Sequence, residues 1–340
     1  MFRLIFVLVF TIFFMSCSEQ TRLNDSEKLA RFFQKKSVRL VVTDSGLGGL
    51  SVFADLAARI SGSGLFENVE VSYFNAQLDS STGYNDMKTM DQKVRIFENA
   101  LNAMEKNFSP DMILIACNTL SVVYPGTKFA ATTNIPVIGI VGTGVELIQD
   151  RLRQNDSSKV IIFATLTTVE QNAHKKMLVA GGVDSGRIVT QACPRLAGSI
   201  ERGAASQQTR ELVNEYVDQA LEKIPGEKMP VIISFNCTHY GYVGDLFADC
   251  LTEQGQAYTE LLDPNTRMID FMFTEPYLHR YPETSLSLKV VSQPELSEAR
   301  INSIGSLIAA KSPAAYDALK RYTYAPDFFE WQSIAQGQRD

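Results

Sequence analysis

Histidine is scarce in this chain, with three among 340 residues, and cysteine is sparse, with five. Cys17, Cys117, Cys193, Cys237 and Cys250 are not spaced as a compact zinc site, so no structural metal is expected. Clusters of Lys and Arg are missing too. With a net charge of −6 and a pI near 5.3, that argues against a nucleic-acid surface. The glycines after the first strand do not form G-x-G-x-x-G, and no P-loop lysine follows them, which leaves little ground for a nucleotide site. The apolar run that opens the chain is too short for a comfortable membrane span.

What is present is ordinary for a globular protein: hydrophobic residues at 45% and charged residues at 21%. At the start, Arg3 precedes the apolar run, and small Ser16 and lone Cys17 close it, the pattern of a secretory signal segment. Residues 1–17 are therefore expected to be a signal segment with a lipoprotein box, Cys17 being the lipidated residue, although Phe14 stands where Leu is usual. The expected location is the cell envelope with a lipid anchor to the membrane, the alternative being the cytoplasm. Residues 18–37 read as a polar tether ending in a short helix. An exported chain would hold its other four cysteines in an oxidising compartment, in tension with any thiol chemistry.

The chain then alternates strands and helices. Val38–Thr43 reads as a strand running into Asp44-Ser45-Gly46-Leu47-Gly48-Gly49-Leu50, where glycines allow a sharp turn that aims N–H groups at an anion. Two later strands, 112–116 and 231–236, end in Cys117-Asn118-Thr119 and Cys237-Thr238-His239. Both deliver a thiol and polar groups at a strand's carboxyl end, where open α/β sheets place ligands. The expected fold is α/β, with two pseudo-symmetric lobes carrying parallel-type sheets and an active site in the cleft between them. The lobes are expected at 38–150 and 151–263, with 264–340 packing back on the body through an aromatic tail.

Several segments, in order, resemble the cofactor-independent glutamate racemases of the wider aspartate/glutamate racemase group. They are Asp44–Leu50, Ala116–Thr119, Ile135–Gly139, Cys193-Pro194 with Glu201, and Cys237–Tyr240. The resemblance covers roughly 38 to 263. It implies racemisation of L- and D-glutamate without a cofactor. Inverting an amino acid needs a base on one face of Cα and an acid on the other, and a thiol has a reference pKa of about 8.5, close enough to neutral to serve as either.

Carried onto this sequence, Cys117 and Cys237 are the acid/base thiols, with Asp44 beside the first and His239 supporting the second. Ser45, Asn118, Thr119, Thr165, Glu201 and Thr238 are expected to bind substrate, Glu201 being an acid near the second thiol, with Asn75 and Tyr84 lining the substrate entrance. Two segments depart from the family pattern: Gly83-Tyr84-Asn85 replaces a Pro-Tyr-Gly turn, and Thr167 replaces a glycine in Ala164–Thr168. The expected partner is a small amino-acid substrate, with a homodimer left open. The alternatives are a racemase of another acidic amino acid or derivative, or an exported binding protein without turnover.

Overall fold

A computed structural model describes residues 23–155, 157–224 and 229–337. The proposed signal segment and Cys17 lie outside the described residues.

Among the described residues, ten strands form two sheets. The first takes β1 (Ser37–Asp44), β2 (Asn68–Asn75), β3 (Met112–Ile115) and β4 (Val137–Gly139), joined later by β9 (Ser285–Ser292) and β10 (Thr323–Tyr324). The second holds β5 (Lys159–Ala164), β6 (Ile188–Ala192), β7 (Val231–Asn236) and β8 (Tyr258–Leu262). Their orders are β10-β9-β2-β1-β3-β4 and β6-β5-β7-β8, and every pairing is parallel. The core of the first sheet, β2-β1-β3-β4, thus repeats the order of the second. This places Cys117 after β3 and Cys237 after β7 at equivalent strand ends.

The central strands are apolar because helices cover both faces of a parallel sheet. All four residues of β3 and all six of β7 are buried. The long helix Met90–Phe108 packs on one face of the first sheet. It begins with a reciprocal Thr89–Gln92 cap and stops at Ser109, whose φ of 44° turns the chain toward Pro110.

A helix closes the 18–37 stretch, and it is docked on the body. Asp25–Gln34 is capped by Asn24 and Glu27 and buries Phe32 and Phe33. Phe33 stacks on Tyr277 at 4.4 Å, and Phe32 meets Phe66 edge-on at 5.2 Å. The C-terminal segment rejoins the first sheet: β9 runs alongside β2 over its full length, and Phe328 packs on Phe74 at 4.2 Å. Among the described residues, no helix is long and apolar enough to cross a membrane.

The helix after the first thiol begins at Asn118, because the Cys117 sulfur itself caps it, accepting the Leu120 N–H at 3.5 Å. Leu166–Gln171 is a helix that begins directly after Thr165.

Candidate active site

The carboxyl ends of β1, β3, β5 and β7 meet across a cleft of about 580 Å³ lined by both lobes. Cys117 and Cys237 both border it, each 5% exposed, and both are free thiols.

Around Cys117, the Ser45 hydroxyl sits 3.1 Å from the sulfur. Burial, joined by the nearby Asp44 carboxylate, pushes this thiol up, so it rests protonated. Asp44 is itself buried at the end of β1 and accepts the Thr238 hydroxyl at 2.7 Å. Burial raises its carboxyl, although the facing His239 and the bond from Thr238 pull the other way.

Around Cys237 the charges differ. His239 Nδ1 lies 3.7 Å from the sulfur, and Nε2 meets Glu201 Oε1 at 2.7 Å. Burial alone would lower the imidazole, but its bonds to Cys237 and Glu201 and the Glu201 charge outweigh it, and His239 is raised well above its usual value. Glu201 is buried and burial pushes it up. The donors and charges of His239 and Arg300, with the Leu47 N–H, prevail and hold it at about 2. One thiol therefore faces a carboxyl group and the other an imidazolium.

The glycine-rich turn after β1 does two things here. Its Leu47 N–H does meet an anion, but that anion is the protein's own Glu201, at 2.6 Å. Its glycines also let the lobes close: a Cβ on Gly48 would stand 2.3 Å from Thr238 Oγ1, and one on Gly46 would stand 2.6 Å from Glu201 Oε1.

Sequence-derived residues divide by what their side chains are free to do. Asn118 is 2% exposed and lines the cleft, and neither Oδ1 nor Nδ2 has a partner among the described residues. A buried amide with both ends open is a ready-made ligand contact. The buried Tyr84 hydroxyl on the cleft wall is likewise unpartnered, and burial raises it well above its usual value, so it stays a neutral donor. Thr119 and Thr165 face each other across the lobes at 2.7 Å, and Thr165 continues to Thr168 at 2.9 Å.

Three assignments change. Asn75 does not line the cleft: it is fully buried, donates to Ser292 at 3.0 Å and accepts the Gln77 N–H at 3.1 Å, because β9 covers its edge of the sheet. Thr238 gives its hydroxyl proton to Asp44, so it joins the lobes rather than donating to a substrate. Glu201 has its carboxylate filled by protein donors and orients His239 instead of binding substrate.

Sequence reasoning passed over Arg300 and Gln77, which meet at 2.7 Å beside the cleft. Cys193, from the Cys193-Pro194 segment, is buried and also lines the cleft, and its thiol, raised strongly by burial, leans toward the Gln191 carbonyl. Among the described residues, no group of His, Cys, Asp or Glu is arranged to hold a metal ion.

The sequence profile described as Asp/Glu/hydantoin racemase matches residues 48–237. The chain belongs to this racemase family. Similar relatives include the glutamate racemase of a Nitratiruptor species, 28% identical over 66% of this chain and 83% of that one. The Campylobacter jejuni glutamate racemase is also 28% identical, over 74% of this chain and 95% of its own. Among solved structures, Francisella tularensis glutamate racemase in complex with D-glutamate superposes with a TM-score of 0.61 at 19% identity, covering 81% of this chain and 94% of that one. The two-lobe racemase fold is thus shared.

The family's two unusual segments in this chain touch each other. Asn85 accepts the Thr167 N–H at 3.1 Å, and the Thr167 hydroxyl accepts from the buried Lys93 ammonium at 2.7 Å. Thr167 lies within the helix Leu166–Gln171, and its φ is not positive, so glycine is not required there.

Proposed function

We propose that the protein interconverts L- and D-glutamate by a cofactor-independent two-thiol mechanism. The observation that carries this reading is the placement of Cys117 and Cys237 at equivalent strand ends, in one cleft, with opposite electrostatic surroundings. For one enantiomer, the Cys237 thiolate removes the Cα proton: the C–H bond breaks, an S–H bond forms, and the electron pair passes into the α-carboxylate. The Cys117 thiol then returns a proton to the opposite face and is left as thiolate. For the other enantiomer the roles exchange. The imidazolium of His239 stabilises negative charge on the second sulfur, and Asp44 tends the first. Ser45, Asn118, Thr119 and Thr165 receive the substrate's carboxylates and ammonium, and Tyr84 closes the wall.

The substrate class agrees with the similarity to proteins named glutamate racemase. Residues 38–150 and 151–263 serve as the two catalytic lobes. The deciding experiment is Cα-proton exchange in heavy water with purified, reduced protein and each glutamate enantiomer separately. Exchange together with inversion is expected. Silence with glutamate and turnover of another acidic amino acid would move the substrate but keep the chemistry. Silence across an amino-acid panel would leave a binding protein. Location is tested apart from chemistry: palmitate labelling of Cys17 with fractionation distinguishes an envelope lipoprotein from a cytoplasmic enzyme, and sedimentation tests the homodimer.

A further inference from the structure

Glu201 receives four donors on two oxygens. Oε1 takes the Leu47 N–H and His239 Nε2, at 2.6 and 2.7 Å. Oε2 takes both Nε (at 2.8 Å) and Nη2 of Arg300. Arg300 sits on the helix Glu298–Ala309 in the C-terminal segment, beyond the residues that the family profile matches, and is 9% exposed. The same helix is fastened to the Glu201 helix, since Ser303 donates to the Ile200 carbonyl at 3.1 Å. Arg300 Nη2 also reaches the Gln77 amide oxygen, on a residue that borders the cleft.

We propose that Arg300 is a positioning residue for the Cys237 half of the reaction, gripping Glu201 so that His239 is held facing that sulfur. This rests on the two-thiol reading above. Both guanidinium donors converge on Oε2, so with Oε1 held by Leu47 and His239 each carboxylate oxygen is anchored, and the plane is fixed as well as the charge. Without it, both remaining donors would lie on Oε1, and the carboxylate would be free to swing about that contact. The charge matters as much as the orientation. Asp44, Tyr73 and Tyr242 feel the Glu201 charge and none of them is cationic, so His239 and Arg300 supply the positive charge. With Arg300 present, Glu201 stays ionised without His239 having to balance it alone, which leaves the imidazole proton available to the sulfur.

The test uses full-length R300Q and R300K beside the wild type, with kcat followed against pH and substrate isotope effects measured from both α-deuterated enantiomers. In R300Q, kcat is expected to fall about tenfold or more with KM little changed, and the acid limb to move up by about one unit. Because only the proton transfer at Cys237 is slowed, the isotope effect should grow for the enantiomer deprotonated by that thiol and shrink for the other. R300K, which keeps charge without the fork, should recover much of the acid limb while the isotope asymmetry persists. A general loss of structure would slow both transfers alike. An unshifted acid limb with wild-type isotope effects overturns the proposal, in R300K alone if R300Q does not fold.

Wild-type protein that exchanges neither enantiomer would instead overturn the glutamate reading. Arg300 is then judged by iodoacetamide alkylation of Cys237 in a C117A background, located by mass spectrometry. A rate about threefold or more slower with R300Q supports the grip, and an equal rate overturns it.

Discussion

Thr238 donates its hydroxyl to Asp44 at 2.7 Å, so the residue following one cleft thiol holds the carboxyl group that faces the other. The bond crosses between the two sheets, from the end of β7 to the end of β1. Asn265 reinforces it by donating to the Thr238 carbonyl at 2.8 Å. Through this contact the surroundings of the two thiols are mechanically joined: a shift of the second lobe moves Asp44's partner.

Replacing Thr238 with valine keeps the shape and removes the donor. Asp44 would then lose one of the groups that counteract burial, and its carboxyl would rise further. T238V is expected to lower kcat by about tenfold through the altered Cys117 side, with T238S close to wild type. A pH profile of racemisation for the two variants checks this. Equal activity in T238V and T238S would remove the role assigned to the hydroxyl.

Each thiol alone is insufficient for inversion, because one group cannot act on both faces of a planar carbanion held in a cleft. C117A and C237A should therefore each lose at least about a thousandfold in racemisation. Near-native circular dichroism is expected for both, since each buried thiol borders the cleft and its replacement removes a single sulfur atom. Normal turnover in either variant would sink the two-base assignment.

The thiols were legible in the sequence because each ends a buried apolar run, where one local pattern fixes both the strand and its polar tip. The pseudo-symmetry of the two lobes was legible for the same reason. Arg300 was not: it lies 99 positions from Glu201, on a helix whose local pattern says nothing about a carboxylate in the other lobe. Asn75 was misplaced because a strand-end amide looks like a cleft residue until β9, supplied from far along the chain, covers it. Thr167 departs from the family's glycine, yet it sits in a helical turn and serves as an acceptor. Long-range pairing decides all three, and no window of sequence contains it.

The Asn85–Thr167–Lys93 contact joins the lobes and gives the buried Lys93 ammonium a hydroxyl acceptor. Burial already lowers Lys93, with Glu170 and Asp86 offsetting part of that. T167V should cost about 1–3 kcal/mol by stranding the ammonium. K93M in the same background should recover most of the loss, because no charge is then left without an acceptor. Urea denaturation of the wild type, the two single variants and the double variant measures the coupling. Additive losses would mean that the two side chains do not depend on each other.

Glu201 gives the fold a pH dependence of defined sign. Its carboxyl lies at about 2 in the folded chain, against an ordinary 4.5, so folding favours the ionised form. That contribution is fully present above pH 4.5 and is lost as pH falls toward 2, and it amounts to about 3 kcal/mol. Asp263 works in the opposite sense. Burial raises it from 3.8 to about 6, so its contribution is present at low pH and is lost as pH rises through 6. Both terms act in the wild type, but E201Q removes only the first. At pH 7 E201Q should be less stable by about 3 kcal/mol, because Arg300 and His239 lose their shared partner. The gap should close between pH 4.5 and 2, as the wild-type carboxyl takes up its proton. Denaturation curves for the two proteins across that range measure the difference directly. A gap that stays constant with pH would mean that Glu201 is held by shape and not by its charge.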